Sequence, residues 1–214
     1  ETPVISGNVS LYNESGGEAI WPTPVVGMLG VLDEAEWRCG MGFANDGDEI
    51  AVLGAGRPRL DGSEFLSIAH DLVAGQPEID LVDEIAVQRL VRELIAGRLL
   101  SSAHDCSDGG LAVALAESAF AGGLGVQASD LPTSGRLDES LFGESQSRIV
   151  VSYPPLAAAA VAAAAATLSV PITPIGLVGG ARLRIGPIDV PLARAEQAWS
   201  QGLELALAGH APPG

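Results

Sequence analysis

A turn near the middle of the sequence constrains the fold more than any other feature. The apolar residues 98–103 predict a short strand, and the alanine- and leucine-rich residues 111–117 predict a helix. The sequence between them is His-Asp-Cys-Ser-Asp-Gly-Gly. Ser107 or Asp108 can cap the helix by accepting hydrogen bonds from its first amides, and the two glycines permit a sharp turn or close contact with a ligand. A strand–turn–helix unit is therefore expected here.

The same turn offers two kinds of ligand chemistry. Free amides at the helix start, beside Gly109 and Gly110, attract phosphate. The carboxylates of Asp105 and Asp108 can hold a divalent cation next to it. The alternative is an acidic cap and a glycine turn without a ligand, and the local sequence leaves both interpretations open.

Composition excludes several classes of function. All 11 basic residues are arginine and the formal net charge is −16, whereas nucleic-acid binding needs a concentrated basic face. A Walker A loop requires lysine, which this sequence lacks. Any nucleotide is therefore held by a different type of binding site or with help from another polypeptide. The two distant cysteines, Cys39 and Cys106, favour a reducing compartment. With no secretion signal and no apolar run of membrane-spanning length, the expected location is the cytoplasm.

Strands alternate with helices along most of the chain, which predicts an α/β layered fold from about residue 47 to 208. The clearest helix begins at Asp80 or Asp83 and ends at Gly97, because apolar residues between them follow the helical period. The first 45 residues have two predicted strands and little to bury them, so they are expected to end another domain. Further strands are predicted at 3–5, from Val25, and at 49–54, 124–128, 149–153, 171–178, 182–185 and 188–190, with helices at 63–68, 138–143, 154–167 and 192–207.

Near the start of the sequence, Ser-Gly-Asn-Val-Ser follows the first predicted strand. Gly7 permits an unusual backbone angle or close approach to a ligand. The side-chain carbonyl of Asn8 suits a hard cation, and the hydroxyl of Ser10 suits a substrate oxygen. The alternative is a turn rich in small polar residues.

A second polar cluster lies just before the strand predicted at 149–153. Glu144, Ser145, Gln146 and Arg148 bring acceptors, donors and a fork-shaped cation to the start of this strand. Such a set suits recognition of a nucleotide or a phosphorylated substrate. The alternative is an ordinary loop with one surface ion pair.

Three stretches together resemble one family. Residues 6–14, 104–117 and 143–148 are similar, in this order, to the C-terminal part of the large synthetase subunit of phosphoribosylformylglycinamidine synthase, which belongs to the aminoimidazole ribonucleotide synthetase superfamily. Each stretch alone is a weak signal, but the three at these separations are specific, and the resemblance extends across nearly the whole chain.

The resemblance implies a domain arrangement and an activity. Residues 1–45 would be the end of a second N-terminal-type, ATP-binding domain, residues 46–210 a complete C-terminal-type α/β domain, and residues 211–214 a tail. The whole enzyme would be an ATP-dependent ligase. ATP phosphorylates the amide oxygen of formylglycinamide ribonucleotide, and ammonia from glutamine displaces the phosphate. The implied partners are the N-terminal half of the same enzyme, a glutaminase subunit and a small bridging subunit, with no nucleic acid or membrane.

The resemblance also assigns roles to residues. Gly7 would lie against ATP, Asn8 would bind Mg²⁺ and Ser10 would contact the substrate. The family's catalytic histidines and ATP-contacting lysine lie in its first half, so no catalytic residue is expected here and the chain alone should be inactive. The turn and the second polar cluster would line an auxiliary site for a nucleotide such as ADP, with the residues Asp105, Asp108, Gly109, Gly110, Glu144, Ser145 and Gln146.

Two alternatives differ in class. One is another enzyme of the same superfamily, such as a selenophosphate synthetase or a thiamine phosphate kinase, although these lack the Ser-Gly-Asn-Val-Ser-Leu-Tyr-Asn run. The other is a scaffold domain without catalysis that binds a nucleotide or a partner subunit and stabilises an assembly.

Overall fold

The computed structural model describes residues 2–54, 56–132 and 135–208. The chain divides into two compact units, Glu1–Asp33 and Glu34–Gly214. The predicted tail lies outside the described residues. Among the helices of the described part, none is long and apolar enough to cross a membrane.

The first unit contains a small antiparallel hairpin. Its strands are β1 (Glu14–Ser15) and β2 (Glu18–Ala19), and two glycines with positive φ form the turn between them. The strands predicted at residues 3–5 and from Val25 are wrong, since neither stretch forms a strand and every described residue of this unit is exposed. A strand is stable when it is paired and has a buried face, and this unit by itself supplies neither for these stretches.

The second unit is built on a mixed sheet. Within the described residues this sheet has seven strands in the order β4-β6-β3-β7-β5-β8-β9. Neighbouring strands are antiparallel except β5 and β8, which are parallel. The strands are β3 (Glu49–Leu53), β4 (Ser102–Asp105), β5 (Val126–Ala128), β6 (Ile149–Tyr153), β7 (Ile172–Val178), β8 (Arg182–Ile185) and β9 (Ile188–Pro191).

Helices cover both faces of this sheet, so the α/β layered fold is confirmed. One buried cluster joins one face to α2 and α5, and the other joins the opposite face to α3, α4 and α6. The helices are α1 (Glu64–His70), α2 (Leu81–Ala96), α3 (Gly110–Gly122), α4 (Leu137–Phe142), α5 (Ala158–Thr167) and α6 (Leu192–Leu207).

The position of β3 inside the sheet explains why residues 50–53 of this strand are all apolar. Ile50 and Val52 belong to the cluster under α3, whereas Ala51 and Leu53 belong to the cluster under α2. Successive side chains of a strand point to opposite faces, so a strand covered on both sides needs apolar residues throughout. Burying a large aliphatic side chain stabilises a fold by about 1.5–3 kcal/mol.

The predicted helix between Asp80 and Gly97 is confirmed, with Asp80 as its N-cap. The Oδ1 atom of Asp80 accepts hydrogen bonds from the amides of Val82 (2.8 Å) and Asp83 (3.3 Å). Gly97 follows the last helical residue and donates its amide to Glu93. The cap and the helical period were both visible in the sequence, which is why this element was predicted well.

Strand β4 is shifted from its predicted position at residues 98–103. It begins at Ser102 and continues through His104 and Asp105, because its register is set by pairing with β6. The hydroxyls of Ser102 and Ser152 lie 2.7 Å apart in the buried centre of this pair. The turn therefore begins at Cys106, and Asp105 lies at the end of a strand.

The alanine-rich helix predicted at residues 154–167 is confirmed, although it begins later, at Ala158. Val161 is buried against α2's side of the sheet, while Leu156 is 99% exposed. Leu156 lies in a short 3₁₀ turn, Pro155–Ala157, that precedes α5. Val161 and Ala165 therefore supply the buried contacts of α5.

Candidate functional site

The second unit contains an open cleft of about 250 Å³. It lies between the end of β3, the loop before β6 and the start of α2. Three of the residues predicted for the auxiliary nucleotide site line it, together with residues that the sequence did not single out. The lining residues are Gly56, Arg57, Arg59, Asp61, Pro77, Glu78, Asp80, Asp83, Glu144, Ser145, Gln146 and Ser147.

The loop of residues 143–147, which we term the ESQ loop, is tied to its surroundings by several hydrogen bonds. The amide of Glu144 donates to the carbonyl of Arg59 (3.0 Å), and the hydroxyl of Ser145 donates to the carbonyl of Arg57. The hydroxyl of Ser147 donates to Oε2 of Glu84 in α2 (2.7 Å). The loop is thus fixed to both walls of the cleft.

The carboxylate of Glu144 bridges the starts of two helices. Its Oε1 atom accepts hydrogen bonds from the amide of Glu64, the first residue of α1, and from the amide of Gly109, the N-cap of α3, both at 2.8 Å. A negative charge at a helix N-terminus is stabilised by the free amides and the helix dipole. Glu144 therefore occupies, at Gly109, a position where the sequence predicted affinity for phosphate.

The predicted cap of α3 by Ser107 or Asp108 is wrong. No side chain caps Gly109 from within its own turn, and the Ser107 hydroxyl donates to Asp105 instead. The distant Glu144 takes the capping role because it reaches the free amide from the ESQ loop.

The two glycines of this turn are explained by backbone geometry. Gly109 and Gly110 have φ values of 79° and 67°, in the left-handed region that other residues rarely adopt. A Cβ atom on Gly110 would lie 2.5 Å from the carbonyl oxygen of Gly143. The close approach that Gly110 permits is to the chain's own ESQ loop, whereas a Cβ atom on Gly109 would lie 2.4 Å from Val113 of α3.

Asp105 is exposed and is held on the surface by two neighbours. It accepts the hydrogen bond from Ser107, and its Oδ1 atom lies 3.4 Å from Nδ1 of His104. The hydrogen bond from Ser107 lowers the pKa of Asp105, and the nearby imidazole adds to this effect. The other imidazole nitrogen, Nε2, lies 2.9 Å from Oε2 of Glu117 in α3, so His104 links the end of β4 to that helix.

The structure does not bring Asp105 and Asp108 into a cluster of metal ligands. Both carboxylates are exposed. Within the described ranges, no group of three or more histidine, cysteine, aspartate or glutamate side chains is arranged to hold a metal ion. A cation at this turn would need further ligands from a nucleotide or from another part of a larger protein.

Arg148 lies behind the ESQ loop and is 3% exposed. Its guanidinium donates to the carbonyls of Gly143 and Ser145, the latter at 3.4 Å. Burial lowers the pKa of Arg148. The alternative of an ordinary loop with a surface ion pair is therefore wrong for Arg148, which contacts loop carbonyls inside the protein.

The cleft contains two polar side chains without an internal partner. Among the described residues, nothing forms a hydrogen bond or ion pair with the side chains of Arg57 and Gln146, and both are exposed. Arg59, in contrast, forms an ion pair with Asp61, and its Nη1 atom lies 3.6 Å from Oε2 of Glu78. The hydrogen bond from Arg59 lowers the pKa of Asp61.

Sequence reasoning missed the wall of the cleft that carries the two arginines. The signal was present, since the Gly-Ala-Gly-Arg-Pro-Arg run directly follows β3, and loops at strand ends often bind ligands. A Cβ atom on Gly56 would lie 2.4 Å from the carbonyl oxygen of Gln146, so this glycine lets the two walls meet. That contact joins residues 90 positions apart, which no local pattern reveals.

Gly7, Asn8 and Ser10 lie in the first unit, whereas the residues that line the cleft belong to the second. All three are exposed, and a Cβ atom on Gly7 would meet nothing within 4 Å. The carbonyl of Ser10 accepts a hydrogen bond from the side-chain nitrogen of Asn13 at 2.5 Å. The side chains of Asn8 and Ser10 thus remain accessible within this unit.

Comparison with known families decides the relationship. The family described as "AIR synthase related protein, C-terminal domain" matches residues 45–186, which is more than half of the chain. The chain belongs to this family. The AIR synthase related domain therefore includes the whole cleft, the turn before α3 and the ESQ loop.

Curated relatives of this AIR synthase related chain carry a consistent name. The present chain is 46% identical over 224 aligned residues to the phosphoribosylformylglycinamidine synthase subunit PurL of Anaeromyxobacter sp. (strain Fw109-5). The alignment covers 98% of this chain and 29% of that protein. It is 52% identical over 180 residues to the same subunit of Moorella thermoacetica, covering 84% of this chain and 24% of that protein. The predicted resemblance is confirmed, and the chain spans less than a third of these relatives.

Solved structures agree on the fold. PurL of Thermotoga maritima, solved in complex with FGAR, superposes with a TM-score of 0.66 at 20% identity, covering 76% of this chain and 30% of that one. The same T. maritima protein has also been solved with ATP, with ADP and in PurLQS. At this identity the likeness supports the AIR synthase related fold alone.

Proposed function

We propose that the chain is part of an ATP-dependent ligase that converts formylglycinamide ribonucleotide, glutamine-derived ammonia and ATP to formylglycinamidine ribonucleotide, ADP and phosphate. The supporting observation is the 46% identity to a PurL subunit over 98% of the chain. The chain supplies no lysine, so other parts of a larger enzyme provide the ATP-contacting cation and the catalytic histidines. By itself the 214-residue chain has no turnover.

In this proposal the first unit contributes to the main active site. Gly7 lies against ATP, Asn8 binds Mg²⁺ and Ser10 contacts the substrate. The exposed side-chain carbonyl of Asn8 is a suitable oxygen ligand for Mg²⁺, which keeps several waters and takes few ligands from the protein. When bound, the ion would neutralise charge on the phosphates of ATP. The open space around Gly7 is compatible with close approach of a ligand.

A chimera tests this proposal. The matching 29% of the Anaeromyxobacter PurL is replaced by this chain, and the chimera is expressed in a bacterium that lacks its own PurL. We expect growth without added purines, and loss of growth with Asn8→Ala or Ser10→Ala. The surface substitution Gln197→Ala in α6 is the control and should leave growth unchanged. A soluble chimera that fails to support growth would count against the ligase assignment.

We also propose that the second unit holds a nucleotide in an auxiliary, structural role. The residues concerned are Asp105, Asp108, Gly109, Gly110, Glu144, Ser145 and Gln146. The cleft beside the ESQ loop and the unpartnered side chains of Arg57 and Gln146 support this proposal. Because Glu144 already accepts the amide of Gly109, the phosphates would lie in the cleft, with Mg²⁺ offsetting the surrounding carboxylates.

Thermal denaturation tests the auxiliary site. A ligand that binds only the folded state raises the apparent free energy of unfolding by RT ln(1 + L/Kd), where L is the concentration of free ligand. We expect Mg·ADP, but not Mg²⁺ or AMP alone, to raise the Tm of the chain, and Arg57→Ala to reduce the shift. If millimolar Mg·ADP leaves the Tm unchanged, the second unit is a scaffold that acts through partner subunits.

The remaining parts of the proposal concern assembly and location. The chain would function in the cytoplasm with the N-terminal part of its own enzyme, a glutaminase subunit and a small bridging subunit. Co-purification of the chimera with the two smaller subunits of the Anaeromyxobacter enzyme would support this arrangement. Purification of the chimera alone, when the authentic PurL recovers both, would contradict it.

A further inference from the structure

We infer that Arg148 is a positioning residue that holds the ESQ loop from inside and thereby fixes Gln146 at the cleft. Three separate features of the structure carry this inference. They are the contacts of the guanidinium, the strained backbone beside it and the division of roles within the Glu-Ser-Gln sequence.

The contacts of Arg148 are directed at the loop backbone. Nη2 donates to the carbonyl of Gly143 and Nε to that of Ser145, so a single planar group holds two carbonyls of the loop. The carbonyl of Arg148 itself accepts the amide of Cys106, which fixes the arginine to the end of β4. The fork geometry of a guanidinium suits two such acceptors, whereas an ammonium group is a single point of charge.

The charge of Arg148 has no counterion among the residues that the structure describes. It forms no ion pair with any of their carboxylates, and its Nη1 atom is buried without a hydrogen-bond partner. A buried cation without a counterion lowers stability, since water solvates it better than the protein does. An arginine kept for global stability alone would be expected to have a carboxylate partner.

The backbone beside Arg148 is strained. Ser147 has a φ of 59°, which residues with a side chain rarely adopt. A Cβ atom on Gly54 would lie 1.8 Å from the carbonyl oxygen of Ser147, so this conformation is packed tightly against the end of β3. The bond from Ser147 to Glu84 and the guanidinium of Arg148 hold the loop in this state from its two sides.

Of the three side chains in the Glu-Ser-Gln sequence, only that of Gln146 is available to contact a ligand. Glu144 accepts two helix amides, and Ser145 donates to the carbonyl of Arg57. Gln146 lines the cleft and, in the described part of the chain, has no side-chain partner. The direction of the Gln146 side chain is set by the neighbouring backbone. Arg148 holds this backbone through its hydrogen bond to the carbonyl of Ser145.

Amide hydrogen exchange on the ligand-free chain tests this inference. We expect the hydrogen-bonded loop amides of Gly143 and Glu144 in Arg148→Met to exchange roughly ten- to a hundred-fold faster, which corresponds to the loss of charge-assisted hydrogen bonds. The global stability should fall little or rise, because the buried charge is removed. Arg148→Lys should also speed exchange of the loop, because the ammonium group lacks the planar fork that fits the two carbonyls in the guanidinium's geometry.

Two controls make the outcome decisive. Val161→Ala creates a cavity in the buried cluster beneath α2 and α5, which includes neither Arg148 nor the ESQ loop, and reports what general destabilisation does to the loop. Gln146→Ala should leave exchange of the loop unchanged. The inference is overturned if the loop amides exchange equally fast in Arg148→Met and Val161→Ala at matched stability. It is also overturned if both Arg148 variants fail to fold. If only Arg148→Met fails to fold, Arg148→Lys decides by the same criterion. None of these results depends on whether the cleft binds a nucleotide.

Discussion

At the scale of single residues, Glu144 connects three separate parts of the candidate site. One carboxylate oxygen serves two helix amides that lie 80 and 35 positions away in the sequence. The sequence placed Glu144 in a polar cluster but gave no indication of these partners, because local patterns carry no information about contacts over such separations. The burial of Arg148 was not predictable for the same reason, since it lies beside Cys106 and Gly56, which are 42 and 92 positions away in the sequence.

Glu144→Gln should destabilise the second unit. The amide oxygen can still accept a hydrogen bond, but the charge that stabilises the starts of α1 and α3 is lost, so we expect a loss of about 1–3 kcal/mol. Urea denaturation measures the change. Glu196→Gln, on the exposed face of α6, is the matched control and should stay within about 0.5 kcal/mol of the unchanged chain. Equal effects of the two substitutions would contradict the bridging role.

Ser107→Ala should raise the pKa of Asp105 toward its ordinary value of 3.8, because the largest cause of its lowered pKa is the hydrogen bond from Ser107. A lowered pKa in the folded state gives stability that is present above pH 3.8 and is lost as pH falls through the folded-state pKa. The stability difference between the two chains should therefore vanish below that pH. Titration of the Asp105 carboxyl by NMR measures the shift, and an unchanged pKa would exclude Ser107 as its cause.

At the scale of elements, the helix α2 and the turn before α3 show what sequence can and cannot predict. The cap and period of α2 are local, and the helix was predicted to within a residue. The turn before α3 was predicted as a turn, but its strand was shifted and its cap was assigned to the wrong side chain. Pairing with β6 and the position of Glu144 determine both features, and each involves residues far along the chain.

Glycine-to-alanine substitutions at the two ends of α3 separate backbone strain from close packing. Gly110 and Gly123 both have a φ of 67°, but a Cβ atom meets the Gly143 carbonyl at 2.5 Å in the first and nothing within 4 Å in the second. We expect Gly123→Ala to cost about 1–2 kcal/mol from the backbone alone. Gly110→Ala should cost about 1–3 kcal/mol more, because the ESQ loop must move. Equal losses in urea denaturation would show that the loop does not press on α3.

At the scale of the whole molecule, the two buried clusters lie entirely within the second unit. Their members run from Phe43 to Leu192, while every described residue of the first unit is exposed. The alternation of strands and helices was sufficient to predict the layered class of the second unit. Strand order was not predictable, because a sheet that inserts β6 and β7 beside β3 joins residues about a hundred positions apart.

Deletion of residues 1–33 should leave the second unit folded. Because no buried residue of either cluster is removed, we expect the Tm to change by less than about 4 °C, the shift that ~1 kcal/mol produces in a domain of this size. Calorimetry of the shortened chain measures this. A larger fall would mean that the first unit contributes to the stability of the second.

The bridging carboxylate also determines how the molecule responds to small anions in solution. Glu144 is tethered to the two helices that it serves, so its effective concentration there is of the order of millimolar or higher and does not vary with the surroundings. Free phosphate or sulfate must compete with the Glu144 carboxylate for the two helix amides, and its own negative charge is repelled by that carboxylate. Ordinary fluctuations in the concentration of such ions should therefore leave this junction of α1, α3 and the ESQ loop unaffected.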